Sequence, residues 1–456
     1  MPLGQWRMPK IKGGRMTFLK RLFWVYFLLL IFEGALRKWL LPQYSAPLLI
    51  IRDPVAVLII WEAVRSRKWP KQWSAVTGVL VIGLLGLCMM QVAIGETPWF
   101  VALYGLRSYL LPFPVAFIMG ENLDAEDLRK FGICTLWLLL PLVGLEVAQY
   151  LAEPGSLLNA GAYEGAEQIG YTGGHVRASA TFSYVTGPIS YIPMAAAFIF
   201  YGLVNEKFAK KWLIWAASFA LILAVPVTGS RTLVFLLAAV LACVSAAAFF
   251  GVSQFAKSLK IILPLLTVFT LVSFLPVFSQ ANGSLFARFS EASGAEGGAE
   301  QSLVVRVLNP IAESLQESVS TNNWLGMGMG FGSNVASKLL TGAPSFLAGE
   351  NEVTRVINEL GPIFGIAFML FRWILELMIM AKALARVREL EPLAWLLVPL
   401  TWSSLALGIL EQPTEQGFLV IGVAFSLTAL KRAELPAKAA PILNPRWRPA
   451  RHIPRA

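Results

Sequence analysis

The fold is decided by a pattern that is clearest in "LIWAASFALILAVPVTGSRTLVFLLAAVLACVSAAAFF", residues 213–250. Two apolar runs stand on either side of a short polar break, Thr-Gly-Ser-Arg, which ends at Arg231. Each run is close to the roughly 20 residues that an α-helix needs to cross about 30 Å of hydrocarbon. The stretch therefore predicts two consecutive membrane spans, with an arginine at the turn between them.

The same pattern recurs along the whole chain of 456 residues, of which 56% are hydrophobic and 14% charged. Soluble globular proteins carry about 25% charged residues. The apolar runs are continuous and do not alternate with polar residues, which excludes a membrane β-barrel. We predict an all-α polytopic membrane protein, residues 1–456 forming one integral membrane domain with about twelve transmembrane helices. The predicted spans are 22–41, 46–63, 74–95, 98–119, 131–151, 184–204, 211–228, 231–250, 260–278, 354–380, 392–410 and 416–430.

Basic residues mark one side of this topology. They concentrate in every second loop and in the tail 431–456, which predicts that these segments and both termini are cytoplasmic. This asymmetry accounts for the net charge of +11, and the dispersed charges predict no nucleic-acid partner. On the opposite, outer side the predicted loops hold Arg177, Arg231, Arg288, Arg306 and Lys338.

Two outer loops are long, 151–184 and 279–353, and the second is the large periplasmic loop of the prediction. Apolar residues between Leu303 and Leu315 are spaced as in an amphipathic helix near the membrane surface, with a kink expected at Pro310. Glycine then alternates with larger residues over 325–332. Such a strip can bring backbone N–H groups close to a ligand, or it can simply form a tight connection.

The outer charges favour an anionic ligand over a metal ion. Aspartate occurs three times in the chain and only Asp53 is placed near the outer side, which argues against a site built from several carboxylates. Arginine binds phosphate as a planar fork of donors. Arg177, Arg231 and Arg306 therefore predict a membrane-anchored phosphate compound, although an arginine at a span end also serves as a lipid anchor.

Further charges lie inside the predicted spans. Glu33 with Arg37, and Arg52 with Asp53, can be interpreted as structural ion pairs. Arg107 has no partner nearby in sequence and is a further candidate for binding the ligand.

Four stretches together resemble the O-antigen polymerase and O-antigen ligase family of bacterial surface polysaccharide synthesis. Residues 176–188 are similar to the family's Arg-x-x-Gly-Thr-Phe segment, with Ala180 in place of glycine. Residues 228–242 resemble its Ser-Arg before an apolar helix, and residues 306–332 resemble its loop arginine followed by Gly-x-Gly-x-Gly. Residues 350–370 resemble the family's entry into the next span through Glu-Leu-Gly. The stretches are "VRASATFSYVTGP" (176–188), "TGSRTLVFLLAAVLA" (228–242), "RVLNPIAESLQESVSTNNWLGMGMGFG" (306–332) and "ENEVTRVINELGPIFGIAFML" (350–370).

The resemblance implies a glycosyltransferase of the bacterial cytoplasmic (inner) membrane that takes a glycan from undecaprenyl diphosphate to a hydroxyl of an acceptor glycan. It implies no nucleotide, metal or other cofactor. It also implies that other polysaccharide-assembly proteins are partners within the lipid bilayer. Ligases of the family have a histidine as general base where this chain has Glu350, so the base is Glu350, with Glu352 beside it, or His175. The implied diphosphate-binding residues are Arg177, Arg231, Arg306 and Arg107, and the implied glycan contacts are Gly326, Gly328 and Gly330.

Two alternatives stay open. Loss of the ligase histidine favours a polymerase over an O-antigen ligase that transfers to the lipid A core. A secondary transporter or lipid-linked oligosaccharide flippase has a similar number of spans, but no repeat relates the two halves of this sequence.

Overall fold

A computed structural model describes residues 17–95, 97–162, 175–249, 283, 309–320, 323–333, 336, 351–388 and 391–431. Every regular element in these ranges is helical, which confirms the all-α prediction. Arg306, Glu350, the predicted span 260–278 and residues 432–456 lie outside the described residues. The main helices are α1 (Phe18–Ala35), α2 (Arg52–Arg65), α3 (Ser74–Ile94), α4 (Trp99–Leu110), α5 (Pro112–Asn122), α6 (Ala125–Leu151), α7 (Thr186–Val204), α8 (Lys211–Thr228), α9 (Arg231–Phe249), α10 (Asn309–Ser320), α11 (Glu352–Arg388), α12 (Leu393–Ala406, ending in a π-turn) and α13 (Pro413–Leu430).

In the described ranges, eight helices are long and apolar enough to cross a membrane. Helix α1 carries Lys20, Arg21 and Glu33 among its 18 residues, and α2 has only 14 residues, so neither is a uniform apolar span. The protein is therefore a polytopic membrane protein by architecture, and the count of twelve spans stays a prediction. The eight helices are Lys71–Ile94, Trp99–Asn122, Ala125–Leu151, Thr186–Val204, Lys211–Thr228, Arg231–Phe249, Glu352–Val387 and Pro413–Leu430.

Every second connection between helices lies at one end of the helix bundle, which we call the basic end, and hydrogen bonds join these connections to each other. The basic end comprises residues 17–21, 65–71, 121–130, 205–211, 386–388, 391 and 431. These are the segments that the sequence predicts to be cytoplasmic. The bonds that join them run from Lys20 Nζ to Asp124 Oδ2 (2.8 Å), Asn122 Nδ2 to the Lys68 carbonyl (3.0 Å), Arg129 Nε to the Phe208 carbonyl (2.9 Å) and Lys431 Nζ to the Leu123 carbonyl (2.9 Å).

The remaining connections meet at the opposite end, here called the site end. It comprises residues 36–53, 95, 97–107, 175–186, 228–231, 323–333, 351–359 and 407–416, and it contains the described candidate site residues. This alternation between two ends agrees with the predicted loop order. Which end faces the cytoplasm stays a prediction.

Helices α10 and α11 each contain a proline. Pro310 is the second described residue of α10, and the turn before it, where the expected kink would be seen, is not described, so the kink stays a prediction. The expected amphipathic stretch before Asn309 lies outside the described residues. Helix α11 breaks at Gly361, which has φ 77° and is followed by Pro362. A Cβ at Gly361 would lie 2.2 Å from the Trp324 carbonyl oxygen, so the break brings the glycine strip against α11.

Candidate functional site

Four cationic side chains meet at the site end and form what we call the cationic cluster: Arg37, Lys38, Arg52 and Arg107. Arg37 and Lys38 lie on a π-turn that follows α1, Arg52 begins α2, and Arg107 lies near the end of α4. The first three are only 6%, 5% and 4% exposed. Burial of so much positive charge is costly unless negative groups accompany it.

Two carboxylates neutralise part of the cluster. Glu33 Oε1 lies 3.4 Å from Arg37 Nη1, and Glu33 Oε2 lies 3.3 Å from Arg52 Nε. The predicted Glu33–Arg37 pair is thus present. The predicted pair of Arg52 with Asp53 is wrong, because consecutive helical residues do not face each other. Asp53 instead accepts a 2.8 Å hydrogen bond from Arg107 Nη1, a partner 54 positions away.

The cluster also holds the segment before α7. Lys38 Nζ donates to Ser179 Oγ and, at 3.2 Å, to the Ala180 carbonyl. Arg37 Nη1 donates to Ser183 Oγ at 2.9 Å. Ala180 adopts φ 48°, a left-handed conformation that favours glycine, at the position where the resembled motif has glycine. The backbone at position 180 therefore has a conformation that glycine adopts without strain.

Tyr104 and Arg107 carry buried donors that the described protein leaves unsatisfied. Arg107 Nε, Arg107 Nη2 and Tyr104 Oη have no hydrogen-bond partner within the described ranges, and we call them the donor group. The Arg107 guanidinium lies 4.1 Å from the centre of the Tyr104 ring and interacts electrostatically with the Tyr104 hydroxyl. Each buried polar atom left unpaired costs about 1–3 kcal/mol. An added acceptor, such as a phosphate oxygen, would remove this cost.

The cationic cluster also carries more positive than negative charge. The four cations of this cluster and the two carboxylates that pair with them, Glu33 and Asp53, leave two formal positive charges in excess, and Glu411, an electrostatic neighbour of Tyr104, offsets part of this excess. Arg37 lies close enough to Tyr104 to interact with it electrostatically, so the excess and the donor group share one region. The arrangement is suited to an anionic ligand with acceptor oxygens.

Arg177 and Arg231 are placed in the same part of the site end. Ala178, next to Arg177, packs in one small apolar cluster with Val227, which lies four positions before Arg231. The two segments that carry the predicted arginines are therefore neighbours. Convergence of the two side chains on one ligand stays a prediction, and Arg306 is not described.

His175 is held by the end of α6. Its Nδ1 lies 2.9 Å from the Tyr150 carbonyl, and its ring stacks on the Tyr150 ring at 4.3 Å. With the hydrogen on Nδ1, the ring donates to this carbonyl and keeps Nε2 as a proton acceptor. This geometry is compatible with the predicted role of His175 as general base, which stays a prediction.

The predicted glycan-contacting glycines pack against protein. Gly326, Gly328 and Gly330 have φ of 80°, 109° and 82°. The Gly328 N–H donates to the Glu359 carbonyl at 3.2 Å, and the Gly330 N–H donates to Glu359 Oε2 at 3.1 Å. Two of the N–H groups offered for a ligand are therefore engaged within the protein. The close packing favours the tight-connection interpretation, and contact with a glycan stays a prediction.

Glu352 lies in a buried ionic network on α11. Arg355 donates to both of its carboxylate oxygens, at 2.9 and 3.0 Å, and Arg372 Nη1 and the Leu410 N–H donate to Oε1. At 4% exposure, this carboxylate serves the structure and does not face a substrate. Its partner Arg355 also donates to Glu359 at 2.9 Å.

Sequence reasoning missed Tyr104, Arg355, Glu359 and Arg372. Glu352 and Arg355 are spaced i,i+3 and Arg355 and Glu359 are spaced i,i+4, a signal for helical ion pairs that was present in the sequence. Nothing local in sequence links Tyr104 to this region. Within the described part of the chain, no group of three or more His, Cys, Asp or Glu side chains is arranged to hold a metal ion.

No protein-family model, no curated protein and no solved structure matches this chain. Its function is therefore argued from the site, with the motif resemblance as a sequence-based expectation.

Proposed function

We propose that this protein is a membrane glycosyltransferase that moves a glycan from an undecaprenyl diphosphate carrier to the hydroxyl of an acceptor glycan. In this proposal the site end faces the outside of the bacterial cytoplasmic membrane, and the reaction polymerises the carrier-linked glycan. One observation carries the proposal: a buried excess of positive charge beside donors that have no acceptor.

A diphosphate matches both features. It brings at least two negative charges to a cluster with two formal positive charges in excess. Its oxygens accept hydrogen bonds from the fork of an arginine side chain, for which Arg107 has two donor atoms available. Positive groups placed at the departing diphosphate also stabilise the charge that develops as the glycosidic bond breaks.

The lipid part of such a carrier has a matching surface on α4. Phe100 and Leu103 are 42% and 58% exposed and, by helical spacing, share a face with Arg107. Tyr104 lies one turn after Phe100. A membrane-anchored substrate can therefore keep its chain against this apolar surface while its phosphates reach the donor group.

Tyr104→Phe tests the proposal without disturbing the fold. The substitution removes a buried hydroxyl that makes no hydrogen bond to described residues and keeps the ring beneath Arg107. We expect unchanged or slightly higher thermal stability in detergent, because an unsatisfied buried group is lost. Binding of undecaprenyl diphosphate should weaken about 10-fold, since a hydrogen bond to a charged group contributes about 1.5–3 kcal/mol.

The matched control is Tyr201→Phe. Tyr201 lies on α7 and its hydroxyl bonds to Asn205, in the connection at the basic end. Its removal should leave the affinity for undecaprenyl diphosphate unchanged. Equal affinities of the wild type and Tyr104→Phe, measured at the same salt concentration, would contradict the assignment of the donor group to the diphosphate.

Liposomes separate the proposed reaction from transport. The purified protein would be supplied with undecaprenyl-diphosphate glycan extracted from the producing cells. Longer glycans together with released undecaprenyl diphosphate are expected. Translocation of unaltered lipid-linked glycan, with no change in chain length, would replace the glycosyltransferase proposal with a flippase.

A further inference from the structure

Asp53 holds the Arg107 guanidinium at one of its nitrogen atoms. Asp53 Oδ2 accepts a 2.8 Å hydrogen bond from Arg107 Nη1, and the two side chains are 22% and 13% exposed. The Tyr104 ring lies on one face of the same guanidinium, with the ring centre 4.1 Å from the guanidinium carbon. Nε and Nη2 have no acceptor among the described residues, and their N–H bonds share one edge of the planar group. Asp53 and Tyr104 therefore leave a two-donor edge of Arg107 available to a ligand.

The position of Asp53 is fixed in turn by its neighbour Arg52. These two residues begin α2, and Arg52 is 4% exposed. Arg52 Nε lies 3.3 Å from Glu33 Oε2 on α1, and Arg52 Nη2 donates to the Pro413 carbonyl at the start of α13. Because consecutive helical side chains point in different directions, Arg52 reaches α1 and α13 while Asp53 reaches α4. The carboxylate that holds Arg107 therefore belongs to a helix end that is tied to two other helices.

The Asp53–Arg107 contact also differs from the geometry that favours a purely neutralising ion pair. Arginine and a carboxylate often pair through two parallel hydrogen bonds, which use two nitrogen atoms of the guanidinium. Asp53 accepts from Nη1 alone, and the edge formed by Nε and Nη2 stays without an acceptor in the described ranges. The arrangement orients Arg107 and keeps its two-donor edge for another group.

We propose that Asp53 is the positioning residue of the diphosphate site, an inference that rests on the proposed function. Through Nη1 it holds Arg107 in the conformation in which Nε and Nη2 bind two oxygens of one phosphate group. Asp53 does not touch the diphosphate, since two negative groups repel each other. Its contribution is to order the arginine before the ligand arrives, which removes an ordering cost from binding.

Positioning and simple neutralisation have opposite effects on the affinity for an anion. A carboxylate that only neutralises the cationic cluster weakens anion binding, so its removal should strengthen binding. A carboxylate that positions Arg107 strengthens binding, because ordering a free arginine costs about 2–10-fold in affinity. The sign of the change in affinity therefore separates the two functions.

Asp53→Ala and Asp53→Asn form a pair of variants with equal charge. Asparagine keeps an oxygen that can accept from Arg107 Nη1, and alanine does not. We expect Asp53→Ala to bind inorganic pyrophosphate about 3–10-fold more weakly than the wild type, although the site gains one positive charge. Asp53→Asn should bind at least about 3-fold more tightly than Asp53→Ala. Isothermal titration calorimetry on the full-length protein in lipid nanodiscs, at one salt concentration, measures both affinities.

Glu62→Ala is the matched control on the same helix. Glu62 Oε2 lies 2.8 Å from Arg65 Nη2, and the Arg65 guanidinium lies 5.2 Å from the centre of the Trp61 ring. A carboxylate, an arginine and an aromatic ring thus meet here too, but close to the basic end and about 13 Å from Asp53 along the helix axis. Removal of this carboxylate should leave the affinity for pyrophosphate within about 2-fold of the wild type.

The possible outcomes keep the two proposals apart. A wild type that binds neither pyrophosphate nor undecaprenyl diphosphate overturns the proposed function and this inference with it. If the wild type binds pyrophosphate, equal affinities of Asp53→Ala and Asp53→Asn overturn this inference alone. Binding by Asp53→Ala that equals or exceeds wild-type binding also overturns it, because Asp53 would then be a counter-charge. If Asp53→Ala does not fold, Asp53→Ser replaces it with the same expected loss, since its side chain is also too short to reach Arg107.

Discussion

Glu359 accepts hydrogen bonds from groups that are far apart in the sequence. Its Oε2 accepts from Tyr109 Oη at 2.6 Å and from Arg355 Nη1 at 2.9 Å, and its Oε1 accepts from the Gly332 N–H at 2.8 Å. The side chain is 0% exposed. One carboxylate thus ties α4, α11 and the glycine strip together at the site end.

Glu359→Gln should be strongly destabilising. The amide keeps the shape, but it removes the negative charge that faces Arg355 and turns a donor toward groups that need acceptors. Arg355 keeps its pair with Glu352, but buried donors around position 359 lose an acceptor, and each such unsatisfied group costs about 1–3 kcal/mol. We expect a large fall in the unfolding temperature in detergent, measured by intrinsic fluorescence.

The control for Glu359→Gln is Glu206→Gln. Glu206 pairs with Lys211 at 3.0 Å, but both side chains are more than 70% exposed. Such a surface pair contributes about 0–1 kcal/mol, so this variant should unfold close to the wild type. Similar unfolding temperatures for the two variants would show that the buried carboxylate does not hold the site end together.

At the scale of elements, the glycine strip joins α3, α4 and α11. Gln91 of α3 donates to the Leu325 carbonyl at 2.7 Å and to the Glu359 carbonyl at 2.8 Å, and it accepts from the Met329 N–H at 2.9 Å. Thr97, just before α4, donates to the Met327 carbonyl at 2.9 Å. The strip therefore fixes the start of α4, the helix that carries the donor group.

Gly328→Ala tests this function of the strip. Gly328 has φ 109°, and a Cβ there would lie 1.5 Å from Thr97 Oγ1. Backbone strain and steric overlap each cost about 1–3 kcal/mol, so we expect a loss of at least about 2 kcal/mol in stability. Thermal unfolding in detergent measures the change.

Gly86→Ala provides the comparison, because a Cβ at Gly86 of α3 would meet no atom within 4 Å. Alanine favours a helix over glycine by about 1 kcal/mol, so this variant should be neutral or more stable. If Gly328→Ala were as stable as Gly86→Ala, the strip would be a loose connection and the position of α4 would need another cause.

The elements that the sequence predicted well are those with a local signal. Continuous apolar runs predicted eight described helices, and the alternation of basic loops agrees with the two ends of the bundle. The positive φ angles of Gly328 and Ala180 also have a sequence signal, since Gly328 lies in the glycine strip and Ala180 lies where the resembled motif has glycine. These features depend on residues near each other in the chain.

The pairings of the site depend on contacts between distant segments, and no local pattern reveals them. Asp53 follows Arg52 in the sequence, yet it bonds to Arg107, because the helix turns the two neighbours in different directions. Tyr104 contacts Arg107 of its own helix, but its neighbour Arg37 comes from a distant part of the sequence. The sequence therefore predicted arginine as the ligand-binding residue type, while the donor group required the structure.

At the scale of the whole molecule, the two ends of the bundle differ in the exposure and the pairing of their charged side chains. At the basic end, ion pairs such as Arg129 with Glu126 in the first turns of α6 are partly exposed. At the site end, cations are buried and exceed their carboxylates in the cationic cluster. Such a buried excess of positive charge is suited to binding an anion, and this is the central claim of the proposed function.

The most direct test of that claim is a structure determined with undecaprenyl diphosphate bound in a lipid environment. The account predicts phosphate oxygens within about 3 Å of Arg107 Nη2 and Tyr104 Oη, with the lipid chain along Phe100 and Leu103. A diphosphate bound at the basic end, or one at the site end that leaves both donors without contact, would contradict it.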